Sequence, residues 1–243
     1  MEFLIVLLIS AFAGLMQASV GFGFAVVFTP LLSLAMGPRE AIALSLVLSV
    51  TLSLALYIAD TPRASMREVM PMFLAAVVAS PIGVYILAVA DERVLRAGIG
   101  VAVLTSVVGT LFMPHSTTER PERMSLTLLA GVISGIFRGA TSMGGPPVVV
   151  YEHWRGASPL IIRRRLVAFF ALTGVAGLLI AAPSGVLTQW TFIQSIAGLP
   201  AVAIALYGGR YIRPRLSDRW FRWISMALLV FMGVVSLVGA IRG

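Results

Sequence analysis

The stretch Gly131-Val132-Ile133-Ser134-Gly135-Ile136-Phe137-Arg138-Gly139-Ala140-Thr141-Ser142-Met143-Gly144-Gly145-Pro146-Pro147 decides how this chain folds. It begins as an apolar helix with small residues at every fourth position and carries one charge, Arg138. It then runs into Gly-Gly-Pro-Pro, which no continuous helix accommodates, because proline lacks an N–H donor and its ring clashes one turn back. The flanking residues, 124–130 and 148–151, are apolar again, so the break falls inside a segment that otherwise reads as buried or lipid-facing.

Similar apolar runs fill the rest of the chain. They lie at about 3–38, 41–59, 69–90, 97–113, 124–137 continuing to 139–151, 166–182, 185–209 and 223–241, which makes eight segments. Most approach the ~20 residues that span a hydrocarbon core. Hydrophobic residues make up 59% of the 243 and charged residues 12%, with a mean hydropathy of +0.99. A soluble domain carries about a quarter charged residues, so the surface here is suited to lipid. The expectation is an all-α polytopic membrane protein with the lipid bilayer as its solvent.

The first run is also abnormal. It has no charge for 36 residues, and as one helix it would be roughly 54 Å long against a core of roughly 30 Å. Gly21-Phe22-Gly23 interrupts it and Pro30 follows. A shift of 121 residues aligns the two abnormal runs without a gap: Gly14 falls on Gly135, Gly23 on Gly144, Val27 on Val148 and Pro38 on Pro159. Ser10 falls on Gly131, both small. This offset predicts two four-segment repeats, residues 1–120 and 121–243, with segments one and five broken or re-entrant. Irregular backbone at membrane depth survives only where protein or a water-filled cavity satisfies it. Matched interruptions in two halves therefore point to a transport site.

Net charge is +8, and all eighteen basic residues are Arg. They cluster between apolar runs, as the positive-inside rule expects, and give no nucleic-acid signature. With eight crossings the Arg count is 12 against 5 on the two sides; with two re-entrant segments it is 13 against 4. Both arrangements place the loops 152–165 and 210–222 in the cytoplasm and the C-terminus outside, and the count does not choose between them. The N-terminus lacks the positive region of a secretory signal and reads as the first membrane segment.

Helix breaks expose N–H groups at the start of the second half-helix, where the helix dipole is also positive, and together they favour an anion. Pro146 and Pro147 suit that first turn, where their missing donors are not needed. The candidate substrate-binding residues are Gln17, Ser19, Gly21 and Gly23 in the first half, and Arg138, Thr141, Ser142, Gly144, Gly145 and Pro146 in the second. Arg138 either contacts an anionic substrate or is held by backbone carbonyls freed at the break. The stripes Ser10-Gly14-Ala18 and Gly131-Gly135-Gly139 also fit close helix packing.

All ten acidic residues lie outside the apolar runs or at their edges. Cation pumps place a carboxylate at depth, and this pattern disfavours them. There is no Cys, which excludes thiolate chemistry. Neither His115 nor His153 lies deep enough for an intramembrane serine protease. No enzyme activity, catalytic residue, metal site or cofactor is expected.

The run from Gly131 to Tyr151 resembles the second-repeat motif of the sulfite exporter TauE/SafE family of membrane permeases. Gly14 to Gly23, with Pro30, is similar to its first-repeat motif, and Arg165 at the mouth of segment six fits the family pattern. The resemblance covers the whole chain. It implies an inner-membrane transporter, an exporter, of sulfite, organosulfonates or related small organic anions. The competing readings are an anion channel, a permease for small carboxylates and a non-transporting membrane subunit. The resemblance leads one to expect a small residue where Arg138 stands. The expected partners are a small anionic substrate and, as a homodimer, a second copy of the chain.

Overall fold

The computed structural model describes residues 2–60, 64–111, 120–212 and 234. Among these there are nine α-helices, one 3-10 turn and no strand. The helices are α1 (Glu2–Val20), α2 (Phe24–Met36), α3 (Pro38–Ala59), α4 (Met66–Val89), α5 (Glu92–Leu111), α6 (Met124–Thr141), α7 (Gly145–Arg155), α8 (Pro159–Ala181) and α9 (Gln189–Ile212), with the turn at Ala182–Ser184. The eighth apolar run apart from Val234, the loop residues 213–222 and the end of the fourth run lie outside the described residues.

Among the described residues six stretches are long and apolar enough to cross a membrane: Glu2–Ser19, Pro38–Ala59, Met66–Val89, Met124–Thr141, Leu160–Ser184 and Gln189–Gly209. Large apolar side chains such as Val78, Leu179 and Ile58 stand fully outward, at 78, 70 and 65% exposure. Such a surface is unfavourable in water and suits lipid. The chain is a multi-pass helical membrane protein.

Both abnormal runs break where the glycines are. The first separates into α1 and α2 across Gly21–Gly23, whose end glycines take φ of +95° and +111°. A side chain there would strain the backbone. The second separates into α6 and α7 at Ser142–Gly144, so Gly145, Pro146 and Pro147 form the first turn of α7 rather than the break itself. Ser142 closes α6 in the left-handed region at φ +64°, its N–H bonded to the Arg138 carbonyl at 2.8 Å.

The second pair of half-helices folds back as a hairpin. Ser134 Oγ donates to the Gly144 carbonyl at 2.5 Å, Thr127 Oγ1 meets the Tyr151 hydroxyl at 2.5 Å, and Arg120 N–H donates to the Arg155 carbonyl at 2.6 Å. The start of α6 and the end of α7 therefore share one face of the molecule. Asp60, Glu68, Arg163 and Arg165 meet on that face, called here the Arg-rich face. The first pair starts and ends on the opposite face. There the α9 residue Gln194 donates to Glu2 at 3.0 Å, and Arg39, at the start of α3, donates to the Ala90 carbonyl, just past α4, at 3.0 Å.

The small-residue stripes are packing surfaces. A Cβ on Gly131, Gly135 or Gly139 would lie 2.4, 2.2 or 2.6 Å from the carbonyl oxygens of Met72, Ala76 and Ser80. The register rises in step, so α6 runs parallel to α4 with their backbones in contact. α1 runs parallel to α9 in the same way, with Gly14 against Ala205 and Ala18 against Gly209. Adding 121 to the bounds of α1, α2, α3 and α4 gives 123–141, 145–157, 159–180 and 187–210, each within two residues of α6, α7, α8 and α9. Packing partners follow the same exchange: α1 on α9 answers α6 on α4, and α3 on α9 answers α8 on α4.

Candidate functional site between the hairpin tips

The two hairpins approach from opposite faces and their tips meet inside the protein. A cavity of about 20 Å³ lies between them. Gln17 and the first turn of α2, from its cap Gly23 through Phe24, Ala25 and Val26, line it from the first hairpin. Arg138, Ser142, Gly144 and Gly145 line it from the second, and Ser49, Ser53 and Phe170 close it from α3 and α8. The N-terminal ends of α2 and α7 thus open onto one space. First-turn N–H groups have no intrahelical acceptor, so α2 presents several donors there and α7 that of Gly145, since Pro146 and Pro147 carry none.

Arg138 is 4% exposed, and its Nε and Nη2 have no hydrogen-bond partner. Two glycines of α8 make room for it. A Cβ on Gly174 would lie 3.1 Å from Nη2, and one on Gly177 3.6 Å from Nε. The shift of 121 explains the arrangement. Arg138 answers Gln17 and Gly174 answers Ser53, and Gln17 Nε2 donates to Ser53 Oγ at 2.9 Å. In the first half an amide and a hydroxyl satisfy each other. In the second a longer guanidinium replaces the amide, the hydroxyl is gone, and the cation has lost its local acceptor. Ser142 Oγ is buried and unpartnered as well. A cavity whose unpartnered groups are a guanidinium, a hydroxyl and helix N-termini is a set of donors awaiting an acceptor.

The edge acids do not compensate Arg138. Asp60 pairs with Arg163 and Glu152 with Arg165. Glu152 also lies 4.0 Å from Arg155, and Glu68 bonds Arg165 Nε at 3.0 Å while capping α4 through the Ser65 N–H. These groups form an ion-pair network on the Arg-rich face, separate from the cavity.

Of the residues expected at the site from sequence, Gln17, Gly23, Arg138, Ser142, Gly144 and Gly145 come together. Ser19 does not line the cavity; its hydroxyl bonds its own helix at the Leu15 carbonyl, 2.8 Å away. Thr141 likewise donates to Phe137 O at 2.8 Å and accepts the Met143 N–H at 3.3 Å, which shapes the tip from outside the cavity. Gly21 backs onto Arg163, and Pro146 is buried within the first turn of α7. Ser49, Ser53 and Phe170 were missed. Ser45, Ser49 and Ser53 recur every fourth residue in an otherwise apolar run, and that polar stripe was the available signal.

Residues 6–236 match the family model described as Sulfite exporter TauE/SafE. A "Probable sulfite/organosulfonate exporter TauE" from Cupriavidus necator is 24% identical over 147 residues, covering 60% of this chain and 57% of that protein. The chain thus aligns with little more than half the length of this relative. No solved structure matches the chain.

Proposed function

The chain belongs to the sulfite exporter TauE/SafE family, and from that premise we propose that it carries sulfite, an organosulfonate or a related small organic anion across the inner membrane, outward. The observation that carries this reading is Arg138, a buried guanidinium with two unpartnered nitrogens beside the N-terminal ends of α2 and α7. A charge at this depth costs roughly 2.5–3.5 kcal/mol on insertion scales, and a bound anion offsets that cost. An oxyanion offers several acceptors to the planar fork of Arg138 and to the donors of Ser142 and the two helix ends.

Gln17, Gly23, Arg138, Ser142, Gly144 and Gly145, with Ser49 and Ser53, form the binding set in this reading. Ser19, Gly21, Thr141 and Pro146 shape the tips that present it. The two hairpins are the interrupted first segments of duplicated four-segment units, 1–120 and 121–243, inserted with opposite orientation. The near-coincidence of helix bounds under the 121-residue shift supports the duplication. The Arg-rich face is cytoplasmic and the C-terminus is outside, and the protein is a transporter rather than an enzyme.

A cavity of about 20 Å³ holds about one water. The tips must part to admit an oxyanion, which favours a carrier over an open channel. The test is a thermal-shift screen of purified protein against sulfite, sulfonates and small carboxylates, since a ligand of the native state raises its apparent stability. It is followed by flux into proteoliposomes. Stabilisation by sulfite or sulfonates, with saturable flux and counterflow, is expected. Response to carboxylates alone reassigns the substrate, and flux without saturation or counterflow overturns the carrier.

A further inference from the structure

Arg163, in the second turn of α8, is 6% exposed and bridges two helix ends. Its Nη1 donates to the Asp60 carboxylate at the C-terminal cap of α3, and its Nη2 donates to the Ala18 carbonyl at 3.1 Å. Ala18 belongs to the last turn of α1, where carbonyls lack intrahelical partners and the dipole favours a cation. Three residues on, the chain turns at Gly21 against the same side chain, where a Cβ would lie 2.6 Å from Arg163 Cγ. Gly23 then caps α2, whose first turn lines the cavity. One side chain therefore grips the chain as it passes from α1 into the donor end of α2.

The counterpart positions at the other tip form no such ion pair. Under the shift of 121, Ile42 answers Arg163 and Ala181 answers Asp60, and both are apolar and 0% exposed. The two faces are closed by different physics. Parting an ion pair returns both charges to water, so hydration offsets the lost attraction. Parting apolar side chains has no such compensation.

We propose that Arg163 is a positioning residue for the α2 half of the anion site and, paired with Asp60, an ionic latch that shuts the cavity towards the Arg-rich face. Closed, the pair holds the α2 N-terminus on the cavity. Open, it frees the first tip and admits solute from that face alone. The proposal rests on the anion-site reading of the cavity, but its test does not require an anion.

The chain contains no Cys, so a single introduced cysteine is a unique probe. Ala25→Cys places it in the first turn of α2. Its modification by a charged, membrane-impermeant methanethiosulfonate is timed in right-side-out and inverted vesicles, alone and combined with Arg163→Gln, Asp60→Asn or both. Each neutralising change should raise the rate from the Arg-rich face about tenfold or more and leave the other face unchanged. The double variant should react no faster than Arg163→Gln alone, since that change already removes the ion pair together with the Ala18 bond that Asp60→Asn leaves in place. Arg163→Lys, which keeps the charge pair and guards against a folding artefact, should stay slow. Unchanged rates, equal acceleration from both faces, or additive effects overturn the latch. Sulfite binding to the unlabelled natural chain separates the two readings. Binding with unchanged labelling sinks the latch alone, and face-specific labelling without anion binding sinks the anion site alone.

Discussion

Replacing Arg138 with Met should move affinity and stability in opposite directions. Arg138 is buried with Nε and Nη2 unpartnered, and an unsatisfied buried donor costs about 1–3 kcal/mol. Met retains much of the apolar stem and has no donor to satisfy, so the anion-free protein should gain about 1–3 kcal/mol. A buried charge replaced by a packed apolar residue is often stabilising in this way. The anion loses a charge-assisted contact of about 1.5–3 kcal/mol, so its Kd should rise by about 10- to 150-fold at 1.4 kcal/mol per decade. Thermal unfolding in detergent without anion reads the first quantity, and calorimetric titration with sulfite reads the second. A variant that binds sulfite as the natural chain does, or unfolds more readily without it, would show that Arg138 is a structural cation held by the fold, and the reasoning from unpartnered donors would fail.

Other substitutions separate charge, geometry and packing. Arg138→Lys keeps the charge but loses the planar fork, and should weaken affinity by about tenfold with unchanged membrane insertion, measured by titration and by yield of monodisperse protein. Gly174→Ser restores the hydroxyl that its counterpart Ser53 supplies to Gln17. It offers Arg138 an internal acceptor, and its Cβ, 2.8 Å from Val50 Cγ2 and 3.1 Å from Arg138 Nη2, also crowds the guanidinium, so anion affinity should fall even though the charge remains. Gly23→Ala meets no atom within 4 Å but must hold φ +111°, so unfolding measurements should show a purely conformational loss of about 1–2 kcal/mol. Gly135→Ala places a Cβ 2.2 Å from the Ala76 carbonyl oxygen. It should cost about 1–3 kcal/mol through forced separation of α4 and α6, seen as a lower Tm and folded yield.

Much of this protein was legible in its residues because membrane folding is constrained locally. Apolar runs of spanning length, with Arg between them, have few structural alternatives when every backbone group must be satisfied within the bilayer. Gly-Gly-Pro-Pro cannot continue a helix, and Gly21-Phe22-Gly23 in an overlong run marks the other break. The helical class, both interruptions and the placement of Pro146 and Pro147 in a first turn followed from these facts. So did the two uses open to the Gly131-Gly135-Gly139 stripe, of which the structure selects packing against α4.

Direction and partnership were not local properties. Whether a broken segment continues across the bilayer or folds back depends on contacts such as Thr127 with Tyr151, 24 residues apart. Ser19 and Thr141 looked like site hydroxyls by proximity to the breaks, yet each bonds its own helix four residues back. That choice rests on side-chain direction, which sequence spacing does not fix. Ser53 and Gly174 acquire meaning only because α3 and α8 bring them beside Gln17 and Arg138. The sequence by itself determined that this chain lies in a membrane, where its helices break and that its one deep charge is positive. Only the tertiary structure decided that the two breaks face one cavity and that the edge acids are committed to other arginines. Those outcomes depend on long-range packing between elements more than a hundred residues apart, such as Asp60 and Arg163, and no local rule of residue type specifies it.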